Sequence, residues 1–171
     1  FEVLDTEPEI QEENGAKELP PINGNVKFEN VTFAYDSDSE NVLENVNFEI
    51  KAGETIALVG ATGAGKSTII NLISRFYETN SGRVLIDGYD IKKVTIESLR
   101  QQMGIMTQEN FIFSGTISEN IKYGKLDATD QEVVEAAKAV NAHNFIMKLK
   151  NGYDTLLSER GGGLSVGQKQ L

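Results

Sequence analysis

The sequence predicts an α/β fold: a core of parallel strands, preceded by an antiparallel β layer and followed by a helical region. Three observations carry this. Thr55-Ile56-Ala57-Leu58-Val59 is a short apolar run leading into Gly60-Ala61-Thr62-Gly63-Ala64-Gly65-Lys66-Ser67, after which residues 68–77 place apolar side chains at helical spacing. An unbroken apolar run of that length reads as a buried parallel strand. Upstream, residues 26–33 and 42–50 alternate as half-buried strands do, and from Ser114 onward the pattern becomes helical.

Each element follows in order. Residues 1–22 read as a linker, with Pro8, the Pro20-Pro21 pair and no sustained periodicity. Folding is expected to begin near Asn25. The turn-rich Asp36-Ser37-Asp38-Ser39-Glu40 separates the two alternating strands, and Ala52-Gly53-Glu54 turns the chain into the apolar run. Residues 82–86 form another strand, which Asp87-Gly88 ends in a tight turn. Residues 96–102 are expected as a short helix and residues 104–107 as a buried strand ending at Gln108. Thr129 and Glu132 have the spacing of a capping box that opens a helix to about Val140, and a shorter helical piece covers residues 143–148. Gly161-Gly162-Gly163 breaks the chain before its last segment.

Composition narrows the function. With 171 residues, 39% of them hydrophobic and 25% charged, the chain can build a real core. It has no cysteine, which removes disulfides, zinc–thiolate sites and thiol catalysis. No apolar stretch reaches membrane-spanning length. The net charge is −10, and more than half of it comes from Glu2, Asp5, Glu7, Glu9, Glu12, Glu13 and Glu18, set against the lone base Lys17 in the leader. An acidic chain without a basic stripe is not expected to bind nucleic acid.

The glycine segment fits the pattern G-x-x-x-x-G-K-[ST]. A polyphosphate needs several backbone N–H groups converging on its oxygens, and Gly60, Gly63 and Gly65 permit the tight turn that aims them. Lys66 can then reach the β- and γ-phosphates, the Ser67 hydroxyl can ligate Mg²⁺, and the helix N-terminus adds positive potential. Gly60, Thr62, Gly63, Ala64, Gly65, Lys66, Ser67 and Thr68 are the candidate nucleotide-binding residues.

Leu164-Ser165-Val166-Gly167-Gln168 selects among phosphate-loop proteins. It resembles the signature of ATP-binding cassette (ABC) proteins, usually L-S-G-G-Q, with Val166 at the third position. Ser165 and Gly167 would sit at a helix N-terminus, offering a hydroxyl, N–H groups and the helix dipole to an anion. The resemblance implies a P-loop NTPase of RecA-like type, binding ATP and Mg²⁺, in which the signature grips the γ-phosphate of ATP held by the opposite subunit. It makes Gln108 the Q-loop glutamine, touching Mg²⁺ and the attacking water, so that Lys66 and Gln108 are the candidate catalytic residues and Ser67 and Gln108 the metal-binding ones. It makes Tyr35 the aromatic residue that stacks on adenine.

Ser158-Glu159-Arg160-Gly161 resembles the X-loop of ABC exporters, and residues 108–121 resemble the exporter segment that docks a coupling helix. Phe111, Phe113, Glu159 and Arg160 would then couple to transmembrane domains of the same transporter. Phe1-Glu2-Val3-Leu4-Asp5 looks like the tail of a linker leaving a transmembrane helix. The implied whole is a bacterial multidrug- or lipid-type exporter at the cytoplasmic face of the cell membrane, its nucleotide-binding domain paired with a second one in a homo- or heterodimer. On this division residues 1–22 are linker, 23–108 core and β layer, 109–163 helical subdomain and 164–171 signature.

The family's Walker B aspartate, the glutamate after it and the switch histidine follow the signature, and none occurs by Leu171. Val84-Leu85-Ile86-Asp87 precedes Gln108 and ends in a hairpin turn, so it is not Walker B. His143 also precedes the signature and is expected to be structural. The implied fragment should not hydrolyse ATP, and its apolar strand should be left with open hydrogen-bonding groups, favouring association. Two alternatives remain open here: a soluble ABC ATPase acting as a nucleotide-driven clamp, and a small-molecule kinase, which would have no use for residues 164–168.

Overall fold

The computed structural model describes residues 6, 8–36, 38–107, 111–159 and 161–171. Gln108, Arg160 and residues 1–5 lie outside the described residues. The chain divides into two compact units, Phe1–Gly104 and Ile105–Leu171.

In the first unit four strands, β1 (Val26–Phe33), β2 (Leu43–Ile50), β3 (Ser81–Ile86) and β4 (Tyr89–Asp90), form one antiparallel sheet in the order β2-β1-β3-β4. Alternation in β1 sends Phe28 to the core, a slip in the pairing resets the phase so that Val31 and Phe33 face inward as well, and the register sets Phe28 opposite Phe48 on β2 and Val84 on β3. The Phe28 and Phe48 rings stack with centroids 4.4 Å apart. The pairing of β1 slips between Phe28 and Val31, where Asn30 takes φ 49°, a value asparagine tolerates better than most residues. The β3–β4 hairpin turns at Asp87 (φ 48°) and Gly88 (φ 84°), the backbone signs of a tight two-residue loop. Helices α1 (Lys66–Ile73) and α2 (Ile96–Arg100) complete the unit, burying Leu72 and Leu99 in a core shared with Phe28, Val31, Val84, Ile86, Ile91 and Val94.

The leader differs from a free linker in its second half. Leu19 is buried in the core. Lys17 N–H donates to the Lys93 carbonyl at 3.1 Å, and the Lys17 carbonyl accepts from Thr95 N–H at 2.9 Å. The Glu12 carboxylate accepts from Ile96 N–H at 2.7 Å, and the Ser98 hydroxyl accepts from Leu19 N–H at 2.9 Å. Arg75, completely buried and in a left-handed conformation (φ 51°), fastens this stretch further. Its guanidinium donates to the carbonyls of Gln11, Ile91 and Val94 and to the Glu78 carboxylate. On the leader itself these contacts use main-chain groups, the Glu12 carboxylate and one buried leucine, so they leave no periodic trace in the sequence.

Two expected strands are corrected. Residues 55–59 and 104–107 do not form strands among the described residues, and Val59 is 94% exposed and Met106 72%. An apolar run becomes a buried parallel strand only when neighbouring strands take its hydrogen bonds and helices cover both faces. The only parallel pairing among the described residues is the isolated bridge between Lys17 and Val94.

In the second unit a ribbon of β5 (Gly115–Thr116) and β6 (Leu156–Leu157) carries helices α3 (Ile117–Lys122), α4 (Asp130–Ala139), α5 (His143–Ile146) and α6 (Val166–Gln170). Ile117, Ala137, Ala142, Ile146 and Leu157 form its core. α3, α4 and α6 all open with reciprocal capping boxes, Thr116 with Glu119, Thr129 with Glu132 and Ser165 with Gln168. α4 stops at Val140, followed by Asn141 in the left-handed region (φ 61°).

Candidate functional site

The glycine loop sits at the head of α1. Gly63 (φ 85°) and Gly65 (φ 80°) bend it, whereas Gly60 needs no left-handed angle. Gly65 is fixed twice over. Besides its angle, a Cβ there would lie 2.7 Å from Leu43 Cδ2 and 3.2 Å from the Val42 carbonyl oxygen, so the start of β2 presses against the loop. Gly65 is also the residue before the first helical turn, and no side chain caps that turn. The N-terminal amides of α1 are thereby left for an anion. The Lys66 ammonium folds back over the loop and donates to the carbonyls of Gly60 (2.8 Å) and Ala61 (2.7 Å). Residues 60–64 and Ser67 are exposed, and Thr68 is buried.

Tyr35 stands beside this helix. Its phenol and the Thr68 hydroxyl share a 2.9 Å hydrogen bond. Its ring meets Phe33 and Tyr77 edge to face, at centroid distances of 4.9 and 5.0 Å, and is 42% exposed. The structure thus brings Tyr35, Thr68 and the glycine loop together in one unit. Sequence reasoning missed Tyr77, whose only signal was an aromatic residue just past the end of α1.

Asp87 is occupied elsewhere. Its carboxylate accepts hydrogen bonds from the backbone N–H groups of Asn23 (2.5 Å), Gly24 (3.2 Å) and Asn25 (2.9 Å) and from the Asn25 side chain (2.7 Å). Partial desolvation pushes its pKa up, but the donors from Asn25, Asn23 and Gly24 outweigh this and hold it at about 2. It is a turn anchor at the end of an antiparallel strand, as its position before Gln108 suggested. His143 Nδ1 lies 2.8 Å from the Tyr153 hydroxyl, whose pKa burial raises, and serves the second unit's packing. Among the described residues no three His, Cys, Asp or Glu side chains gather as a metal site, and no helix is long and apolar enough to cross a membrane.

In the second unit Leu164 tucks its side chain against the core, and Ser165 opens α6. The Ser165 hydroxyl accepts from Gln168 N–H at 3.2 Å, while Gln168 Oε1 accepts from Ser165 N–H at 2.9 Å. A Cβ on Gly167 would meet nothing within 4 Å, so no neighbour among the described residues requires glycine there. Val166 is exposed. Upstream, Phe111, Phe113 and Tyr123 form an exposed aromatic row, with Phe113 4.9 Å from Phe111 and 4.4 Å from Tyr123 between centroids. Asn120 pins it: its amide accepts from Phe113 N–H at 2.9 Å and donates to the carbonyls of Phe113 and Thr116. Glu159 is exposed.

Residues 43–171, from the start of β2 through α6, match the family model described as ABC transporter. The chain belongs to the ABC transporter family. Among curated members of that family, this ABC transporter chain is 52% identical over its whole length to an uncharacterized ABC transporter ATP-binding protein (YfiC) of Bacillus subtilis, 28% of which it covers. It is 46% identical over 99% of its length to an ATP-dependent lipid A-core flippase of Syntrophus aciditrophicus, again covering 28%. Among solved structures it resembles a bacterial Atm1-family ABC exporter with ATP bound, at TM-score 0.91 and 45% identity, over 99% of this chain and 29% of that one. The chain therefore spans a little over a quarter of the length of these relatives. Membership gives the P-loop NTPase fold class, with the antiparallel sheet and helices described above.

Proposed function

We propose that these residues are the ATP-binding part of an ABC exporter that couples ATP binding and hydrolysis to substrate transport across a membrane. The observation that carries the reading is the uncapped head of α1, ringed by Gly63, Gly65 and Lys66, in a chain that also holds a Ser165-capped signature helix. The residues fit the ligand. Gly60, Thr62, Gly63, Ala64 and Gly65 supply the loop for the phosphates, Lys66 the compensating charge, and Ser67 and Thr68 hydroxyls, with Tyr35 an exposed ring for adenine. Mg²⁺ would be held by Ser67 and Gln108 and would supply charge neutralisation at the phosphate oxygens.

Leu164, Ser165, Val166, Gly167 and Gln168 would address ATP on a second nucleotide-binding domain. The open space at Gly167 supports this, since the residue's small size then serves a partner's phosphate rather than this chain's packing. Phe111, Phe113, Glu159 and Arg160 would receive the coupling helices of transmembrane domains at the cytoplasmic face of the cell membrane. Residues 1–22 would lead in from those domains, with 23–108 as core and β layer, 109–163 as helical subdomain and 164–171 as signature. With Asp87 tied to a turn and His143 to Tyr153, these 171 residues would bind ATP without hydrolysing it.

The deciding experiment uses the whole protein. Lys66→Ala should weaken ATP binding at least tenfold and abolish ATP-driven transport in vesicles, because it removes the only charge the loop offers the phosphates. Undiminished ATP binding by Lys66→Ala would refute the reading. For the 171 residues alone, steady phosphate release that vanishes with Lys66→Ala would refute the claim that hydrolysis needs residues beyond them.

A further inference from the structure

Stacking on a base requires a ring that is already held in place, because a free side chain loses rotamer entropy on binding and gives up much of what the contact supplies. The Tyr35 ring is held from three sides. Phe33 meets it edge to face from the same strand's end, and Tyr77 does so from beyond the C-terminus of α1. The phenol is joined to Thr68 in the first turn of that helix. Tyr77 also packs against Phe33, at 5.7 Å, and against the buried core, so the three rings form a closed triangle anchored in the unit's interior. The same helix therefore fixes Tyr35 at both ends: through Thr68 next to the phosphate loop and through Tyr77 past its last turn.

We propose that Tyr77, together with the hydrogen bond that holds the Tyr35 phenol on Thr68, is a positioning element that sets the affinity of the site for the nucleotide base by fixing the Tyr35 ring. This rests on the reading of Tyr35 as the base-stacking ring. It separates two contributions. The glycine loop and Lys66 grip any polyphosphate, whereas the ring triangle adds the part that depends on a flat base.

The test compares ATP with inorganic tripolyphosphate, titrated against the whole protein by calorimetry. Tyr77→Leu keeps apolar volume against the core and removes the ring edge. It should weaken ATP about three- to tenfold and leave tripolyphosphate unchanged. Tyr77→Phe, which retains the edge, should restore the parental ratio. Tyr35→Phe keeps the ring, breaks only the link to Thr68, and should also lower ATP affinity selectively, which gives an independent reading if Tyr77→Leu does not fold. Parallel loss of both ligands, or no loss of either, would overturn the proposal while leaving Tyr35 as a stacking ring. If the unaltered protein binds tripolyphosphate as tightly as ATP, the stacking reading itself fails.

Discussion

A single atom decides the fate of Gly65. Its φ of 80° already costs an alanine about 1–2 kcal/mol, and a Cβ would have to push the buried Leu43 side chain aside and press on the Val42 carbonyl. Gly65→Ala should therefore both destabilise the first unit and distort the loop, lowering the thermal midpoint and ATP affinity together. Gly167→Ala should do neither to the chain itself, because its surroundings are open, and any loss it causes should appear only in the pairing with a second nucleotide-binding domain proposed above. Asp87 has a different signature. Its folded pKa of about 2 lies below the ordinary 3.8, so the folded carboxyl releases its proton more readily than the unfolded one. The stabilisation is complete above the ordinary value and drains away as pH falls toward 2. Asp87→Asn should cost stability at about pH 6, and the gap between variant and parent should narrow at about pH 3, as thermal denaturation at the two values would reveal.

At the scale of elements, the helix starts were the most legible part of the sequence. Thr129 and Glu132 announce their capping box by spacing alone, and Thr129→Ala should cost about 1 kcal/mol, seen as faster amide exchange in the first turn of α4. The alternation of β1 and β2 and the Asp87-Gly88 turn were legible for the same reason: each depends on neighbours close in sequence. Thr116 with Glu119 obeys the same rule and was overlooked inside a segment read for its aromatics. What stayed hidden depends on distant partners. Only Glu78, three residues on, is a partner of Arg75 close in sequence, and an i,i+3 pair is as common on a surface; the acceptors that bury the guanidinium are the distant carbonyls of residues 11, 91 and 94. In the candidate site the glycines and Lys66 could be read directly, but the bond from Tyr35 to Thr68 spans 33 residues and two side chains whose types suggest no pairing. The apolar run at 55–59 was misread as buried because period and composition describe a strand's preference, not whether neighbours exist to satisfy it.

For the molecule as a whole, that unpaired run is the largest liability. Ile56 and Val59 are exposed beside backbone groups that no strand among the described residues takes up, a stretch suited to joining another chain. The 171 residues in isolation should associate at micromolar concentration, and the Ala57 amide should exchange quickly in any monomer that remains. A monodisperse species with slow exchange at Ala57 would contradict this. The family's relatives are several times longer than this chain, so the measurement contrasts the isolated residues with the same residues in the whole protein.

Arg75 has a mechanical consequence. It grasps the main chain at Gln11 from the foot of a rod whose top is the glycine turn. Tension applied at Gln11 would therefore reach the base of that rod through one guanidinium, shared with the carbonyls of Ile91 and Val94 that the same group holds.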